Sequence, residues 1–69
     1  MAESTYKVIE LIGTSTSSWE EAARTAVEMA GKSLKDLRVA EVERLDMNLS
    51  EGGQLVYRTR VSVSFKYRQ

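Results

Sequence analysis

The 69-residue sequence predicts a small α+β domain of order β-α-β-β, in which a three-stranded antiparallel sheet packs on one helix. Three observations predict this fold. Residues 6–13 and 55–67 have strand-like patterns, an Ala-rich segment from residue 19 has apolar residues at helical spacing, and a Ser-Glu-Gly-Gly turn precedes the last strand. The length leaves room for one domain, which we take as residues 1–69.

The first strand, residues 6–13, is rich in aliphatic and β-branched side chains and ends in a glycine. Its two apolar faces consist of Ile9 and Leu11 on one side and Tyr6, Val8 and Ile12 on the other. Because both faces are apolar, we expect both to be covered in the native protein. A chain of this size can hardly cover both, so the pattern indicates self-association.

A polar segment, residues 14–18, is predicted to be a hinge that leads into the helix. Ser17 with Glu20, or Ser18 with Glu21, fits a capping box, in which the hydroxyl accepts a hydrogen bond from a backbone amide. The helix has one apolar stripe, mostly alanine, that should lie close to the sheet and cover one face of it. The stripe consists of Trp19, Ala22, Ala23, Ala26, Val27, Ala30, Leu34 and Leu37.

The second and third strands are predicted to form a hairpin. The second strand spans residues 38–48, and the turn spans residues 50–53, where Gly52 and Gly53 can adopt positive φ. In the third strand, residues 55–67, odd positions are mainly apolar, and even positions from Arg58 onward are polar and mostly basic. This strand is well above the usual length of about 5–6 residues, so we place it in the centre of the sheet, in the order first-third-second.

Composition excludes several classes of function. The chain has ten Lys+Arg, ten Asp+Glu, no Cys and no His, so disulfides, thiolate metal sites and Cys-His or Ser-His-Asp catalytic groups are absent. Zero net charge gives no electrostatic basis for nucleic-acid binding, and no apolar run is long enough to span a membrane. The first five residues lack signal-peptide features, so we expect a cytoplasmic protein. We predict no enzyme, and we expect a domain this small to gain stability by oligomerising.

Four segments, in order and spacing, resemble a known family. They are residues 6–15 (Tyr-Lys-Val-Ile-Glu-Leu-Ile-Gly-Thr-Ser), the Ala-rich helix, residues 39–42 (Val-Ala-Glu-Val) and residues 57–65. Together they resemble the dodecins over nearly the whole chain, and the Gly-Thr-Ser segment is the most specific part. The resemblance implies a β-α-β-β subunit that assembles as a hollow homododecamer and binds flavin (FMN or riboflavin) for storage or sequestration.

Two positions that contact flavin in the family differ in this sequence. Flavin-binding dodecins carry Trp where this chain has Val39, and Gln where it has Arg58. Val39 has no aromatic face for stacking, and Arg58 offers only hydrogen-bond donors. The sequence therefore resembles the dodecin-like branch without the stacking Trp, which includes proteins described as calcium dodecins. Val39 and Arg58 are the predicted ligand-binding residues, with calcium as the alternative ligand.

Asp46, Asn48 and Glu51 are candidate metal ligands, because hard cations such as calcium bind oxygen. Their spacing is that of the start of an EF-hand loop. Glu51, however, stands where that loop needs Gly, and Tyr57 stands where it needs Glu. An EF-hand is therefore excluded. A looser calcium site would draw on several copies of the chain, and an ordinary polar turn is the alternative interpretation.

Other polar and aromatic residues have simpler interpretations. We expect Trp19 to anchor the core rather than to bind a ligand. A third class of function is a small dimeric adaptor, which would bind its partner through an exposed strand edge. The basic row of the third strand could bind phosphates, lie in solvent, or pair with strand carboxylates; the row is Arg58, Arg60, Lys66 and Arg68, and the carboxylates are Glu10, Glu41 and Glu43.

Overall fold

The computed structural model describes residues 3–49 and 52–67. Its elements are β1 (Tyr6–Ser15), α1 (Trp19–Ser33), β2 (Leu37–Leu49) and β3 (Leu55–Lys66). The strands form one antiparallel sheet in the order β1-β3-β2. The predicted β-α-β-β order and the central position of the third strand are therefore confirmed.

The start of α1 agrees with the second of the two predicted capping boxes. Ser18 is the N-cap, and its Oγ accepts a hydrogen bond from the backbone amide of Glu21 at 3.0 Å. The predicted hinge is shorter than residues 14–18, because β1 continues through Ser15, which pairs with Tyr57 of β3. In the part of the chain that the structure describes, no helix is long and apolar enough to cross a membrane.

The end of α1 corrects the predicted apolar stripe. The helix ends at Ser33 and Leu34 is its C-cap, so neither Leu34 nor Leu37 lies in it. Asp36 adopts a left-handed conformation with φ 61°, which turns the chain from the helix into β2. Leu37 is the first residue of β2, and its side chain still packs against the core.

The core lies between α1 and the helix-facing side of β1 and β3. Ala22, Ala26 and Ala30 form the buried face of the helix, and Val61 and Val63 are buried beneath them. Alanines let the helix approach the sheet closely. At Gly13 the approach is so close that a Cβ atom would lie 1.9 Å from the backbone oxygen of Ala22.

The helix covers less of the sheet than the sequence predicts. It packs mainly on β1 and β3, because the contact between Gly13 and Ala22 places it over that side. The helix-facing side of β2 therefore stays largely uncovered. We call its exposed apolar residues the β2 strip: Val42, Leu45, Met47 and Leu49.

The opposite side of the sheet, which we call the open face, has no element over it in the described chain. On β1 it carries Tyr6, Val8 and Ile12, all exposed, as the strand pattern predicts. At the hairpin, Gly52 and Gly53 adopt φ values of 93° and 79°, which confirms their predicted role. Ser50 and Glu51 lie outside the described residues.

Candidate functional site

The open face carries four of the five predicted site residues. On β2, Val39 pairs with Ser64, Asp46 with Arg58, and Asn48 with Val56. Residues paired across antiparallel strands share a face, and even positions of β3 point away from the helix. The fifth predicted residue, Glu51, lies outside the described residues.

Asp46 and Arg58 form a bidentate ion pair. The Arg58 Nε lies 2.7 Å from one carboxylate oxygen of Asp46, and Nη2 lies 3.1 Å from the other. The hydrogen bond from Arg58 is the main cause that lowers the pKa of Asp46 below its ordinary value of 3.8, and the charges of Arg58, Arg44 and Arg60 act in the same direction. The same hydrogen bond raises the pKa of Arg58. The ion pair therefore favours the ionised form of Asp46, whose two carboxylate oxygens both accept hydrogen bonds from Arg58.

Trp19, the first residue of α1, contacts the backbone of Asp46 from the helix side of the sheet. Its indole Nε1 donates a hydrogen bond of 3.1 Å to the backbone oxygen of Asp46, and its ring meets Tyr57 edge-on at a centroid distance of 5.0 Å. Thr59, which is fully buried, donates through Oγ1 to the Trp19 carbonyl at 2.9 Å. These contacts hold Trp19 between α1 and β2, where it is half-buried, and its predicted role as an anchor of the core stays a prediction.

Val39 and Arg58 do not meet within one chain. Val39 pairs with Ser64, which is six residues from Arg58 along β3. At about 3.4 Å per residue, the two positions are roughly 20 Å apart. A ligand that touches both residue types would need residues from two copies of the chain. Val39 is 62% exposed and has no ring, so this position offers a flavin no stacking partner.

The described residues of one chain also do not complete a calcium site. Asp46 and Asn48 lie two residues apart on the same side of β2 and carry the oxygen donors that calcium takes. Arg58, however, holds both carboxylate oxygens of Asp46. Among residues 3–49 and 52–67, no group of three or more Asp or Glu side chains could hold a metal ion.

The other charges of the open face partly pair with one another. Arg60 contacts Glu10 at 3.4 Å, and Ser62 donates a hydrogen bond to Glu43. Pairing with strand carboxylates was one of the predicted roles for the basic row, although Arg58 pairs with Asp46 rather than with a glutamate. Arg68 lies outside the described residues.

The Asp46–Arg58 pair was not predicted from the sequence, because the pairing depends on the length of the hairpin loop. Asp46 and Arg58 lie equally far from the hairpin turn, on either side of the closing pair Leu49 and Leu55. Five residues separate this closing pair, whereas counting outward from Gly52 and Gly53 as a two-residue turn would place Asp46 opposite Thr59.

A groove of about 310 Å³ lies between α1 and β2. It is continuous with the β2 strip, which supplies Val42 and Leu45 to its wall, while the helix supplies Trp19 and Ala23. The groove is mostly apolar and open, so it enlarges the uncovered apolar surface on the helix side of the sheet.

Comparison with known proteins places this architecture in a family. The family described as dodecin matches residues 5–68. The chain belongs to the dodecin family. Within it, the calcium dodecin of Mycobacterium tuberculosis is 51% identical over 65 residues, which are 94% of this chain and 92% of that protein. The dodecin of Thermus thermophilus is 33% identical over 64 residues, 93% of each.

Solved dodecin structures have the same fold. The crystal structure of the Mycobacterium tuberculosis calcium dodecin, described as having a novel calcium-binding site, matches with a TM-score of 0.88 over 94% of this chain and 93% of that one. The dodecin of Streptomyces coelicolor, 28% identical, matches with a TM-score of 0.90 over 100% and 99%. Membership in the dodecin family does not test single residues. The ligand-binding roles of Val39 and Arg58, and the metal-binding roles of Asp46, Asn48 and Glu51, stay predictions.

Proposed function

We propose that this dodecin assembles into a homododecameric shell in the cytoplasm, where it binds and sequesters calcium without catalysing a reaction. The observation that carries the proposal is the 51% identity, over 94% of the chain, to a protein named calcium dodecin. The fold of that protein's crystal structure is also the fold of this chain. Calcium, the alternative ligand at the sequence level, thereby becomes the first candidate.

Uncovered apolar surface supports assembly. The β2 strip and the groove beside it lie on one side of the sheet, and Tyr6, Val8 and Ile12 lie on the other. Apolar surface in water costs about 25 cal/mol per Å² relative to buried surface. Because residues 3–49 and 52–67 of one chain hold no group of three or more carboxylates that could bind a metal ion, we place the calcium site between copies, so that binding depends on assembly.

Calorimetric titration of calcium into the metal-free protein tests this function. The assembled protein should bind calcium. Leu45→Asp, which puts a charge into the β2 strip, should prevent assembly and abolish calcium binding together. Glu28→Lys, a charge change on an exposed helix position, is the matched control and should leave both intact. An assembled protein that takes up no calcium would contradict the proposal, as would a monomeric Leu45→Asp variant that binds calcium as well as the parent.

Flavin storage is the second candidate; membership in the dodecin family supports it, and Val39, exposed on the open face, is the position to change in its test. If only the walls of the family pocket have changed, a Val39→Trp, Arg58→Gln double variant should gain tight riboflavin binding through ring stacking and indole burial. The unmodified chain should bind riboflavin weakly and quench little of its fluorescence. Submicromolar binding with strong quenching by the unmodified chain would favour flavin over calcium.

A further inference from the structure

Every oxygen of Asp46 already accepts a hydrogen bond from within the chain. Arg58 donates from Nε and Nη2 to the two carboxylate oxygens, and Trp19 donates from Nε1 to the backbone oxygen. The guanidinium therefore occupies the position that a cation would take at this carboxylate. A planar fork that matches both oxygens is the geometry in which Arg holds a carboxylate most specifically.

We propose that Arg58 is a tethered counter-ion, which occupies Asp46 and keeps divalent cations off this end of the sheet. The choice of calcium as the cation rests on the proposed function. With Arg58 removed, the Asp46 carboxylate and the side chain of Asn48 present oxygen donors on the same side of β2, and water completes the coordination of a bound ion.

Arg60, a second arginine on the same face, forms a looser ion pair with which the Asp46–Arg58 pair can be compared. Arg60 is two residues from Arg58 on β3, and its side chain is 39% exposed against 38% for Arg58. Arg60 reaches Glu10 through a single contact of 3.4 Å, whereas Arg58 makes two contacts with Asp46, the shorter of 2.7 Å. Removing either arginine deletes one positive charge from the same face, but only Arg58→Gln frees a fully engaged carboxylate.

Calcium titration of four metal-free proteins tests the proposal: the parent, Arg58→Gln, Arg58→Gln with Asp46→Asn, and Arg60→Gln. Arg58→Gln should bind calcium more tightly than the parent, by on the order of tenfold, or should bind an additional ion. The double variant should lose that gain, and Arg60→Gln should match the parent. Trp19 gives a second readout, because its indole bonds to Asp46. Its emission should respond to calcium in Arg58→Gln and not in the double variant.

Three results would overturn the proposal: equal calcium binding by Arg58→Gln and the parent, a gain that persists when Asp46 is also changed, or the same gain in Arg60→Gln. If Arg58→Gln does not fold, Arg58→Lys replaces it. That variant keeps the charge but loses the fork, so it should show a smaller gain that Asp46→Asn again removes. Failure of the proposed function is a separate result, namely absence of calcium binding by the assembled parent.

Discussion

The environment of Asp46 links the stability of the fold to pH. Arg58 is the main cause that lowers the pKa of this carboxyl below 3.8 in the folded protein. Because the unfolded chain has the higher pKa, it binds the proton more readily. The ion pair therefore stabilises the folded state fully above the unfolded pKa, and this contribution is lost as the pH falls through the folded pKa.

Asp46→Asn should show this linkage. The parent should be more stable than the variant at pH 7, and the difference should shrink as the pH falls below about 4, where Asp46 of the unfolded chain becomes protonated. Urea unfolding at several pH values measures it. Arg58→Gln should show the same trend, because it removes the same pair. A difference between parent and Asp46→Asn that does not change with pH would show that the pair does not form in solution.

Gly13 is required by close packing. A Cβ atom there would lie 1.9 Å from the backbone oxygen of Ala22, so Gly13→Ala must push the helix away from β1. We expect a loss of about 2 kcal/mol or more in the free energy of unfolding. The matched control is Gly31→Ala in the same helix, where the nearest atom to a new Cβ is 3.7 Å away in Leu37.

Because alanine favours the helix over glycine, Gly31→Ala should stabilise the protein by about 0.5–1 kcal/mol. Chemical unfolding of the two variants and the parent at one protein concentration gives both values. Equal effects of the same sign at the two glycines would contradict the packing of α1 on β1.

The positions and partners of single residues in the site were predicted less well than the fold. Val39 and Arg58 were placed in a site by family resemblance, and the structure puts them on the same face but far apart. The partner of Arg58 was not identified, because pairing across strands depends on register, and Gly52 and Gly53 alone do not give the five-residue loop that sets the register. Glutamates on the same face were equally good partners by charge alone.

Elements were predicted more fully, because their signals are local. The alternation of residues 55–67 was enough to place β3 in the centre of the sheet. The helix end was missed, because Leu34 and Leu37 continue the apolar spacing through a turn that depends on the left-handed conformation of Asp36. Apolar periodicity does not report such a backbone change.

The two candidate capping boxes are distinguished by one hydrogen bond. Ser18 accepts from the amide of Glu21, so Ser18→Ala should cost about 1 kcal/mol of stability. Ser17→Ala is the control and should cost little, since the hydrogen bond described for Ser17 runs from its backbone amide to Ser15. Thermal unfolding of both variants decides the matter. A larger loss for Ser17→Ala would mean that the helix begins one residue earlier.

For the molecule as a whole, uncovered apolar surface is the reason to expect self-association. The two apolar faces of β1 predicted self-association from the sequence alone. The β2 strip was not predicted, because the helix was expected to cover the whole side of the sheet. The structure shows that close packing at Gly13 places the helix over β1 and β3 and leaves β2 available to another chain.

A native mass spectrum of the protein, recorded at micromolar concentration with and without calcium, tests the proposed calcium-binding dodecamer, since one mass gives both the number of subunits and the number of bound ions. We expect a dodecamer whose mass increases by bound calcium and which loses that increment when a chelator is added. A spectrum that contains only monomer or dimer would rule out the proposed assembly, and a dodecamer that retains no calcium would rule out the proposed ligand.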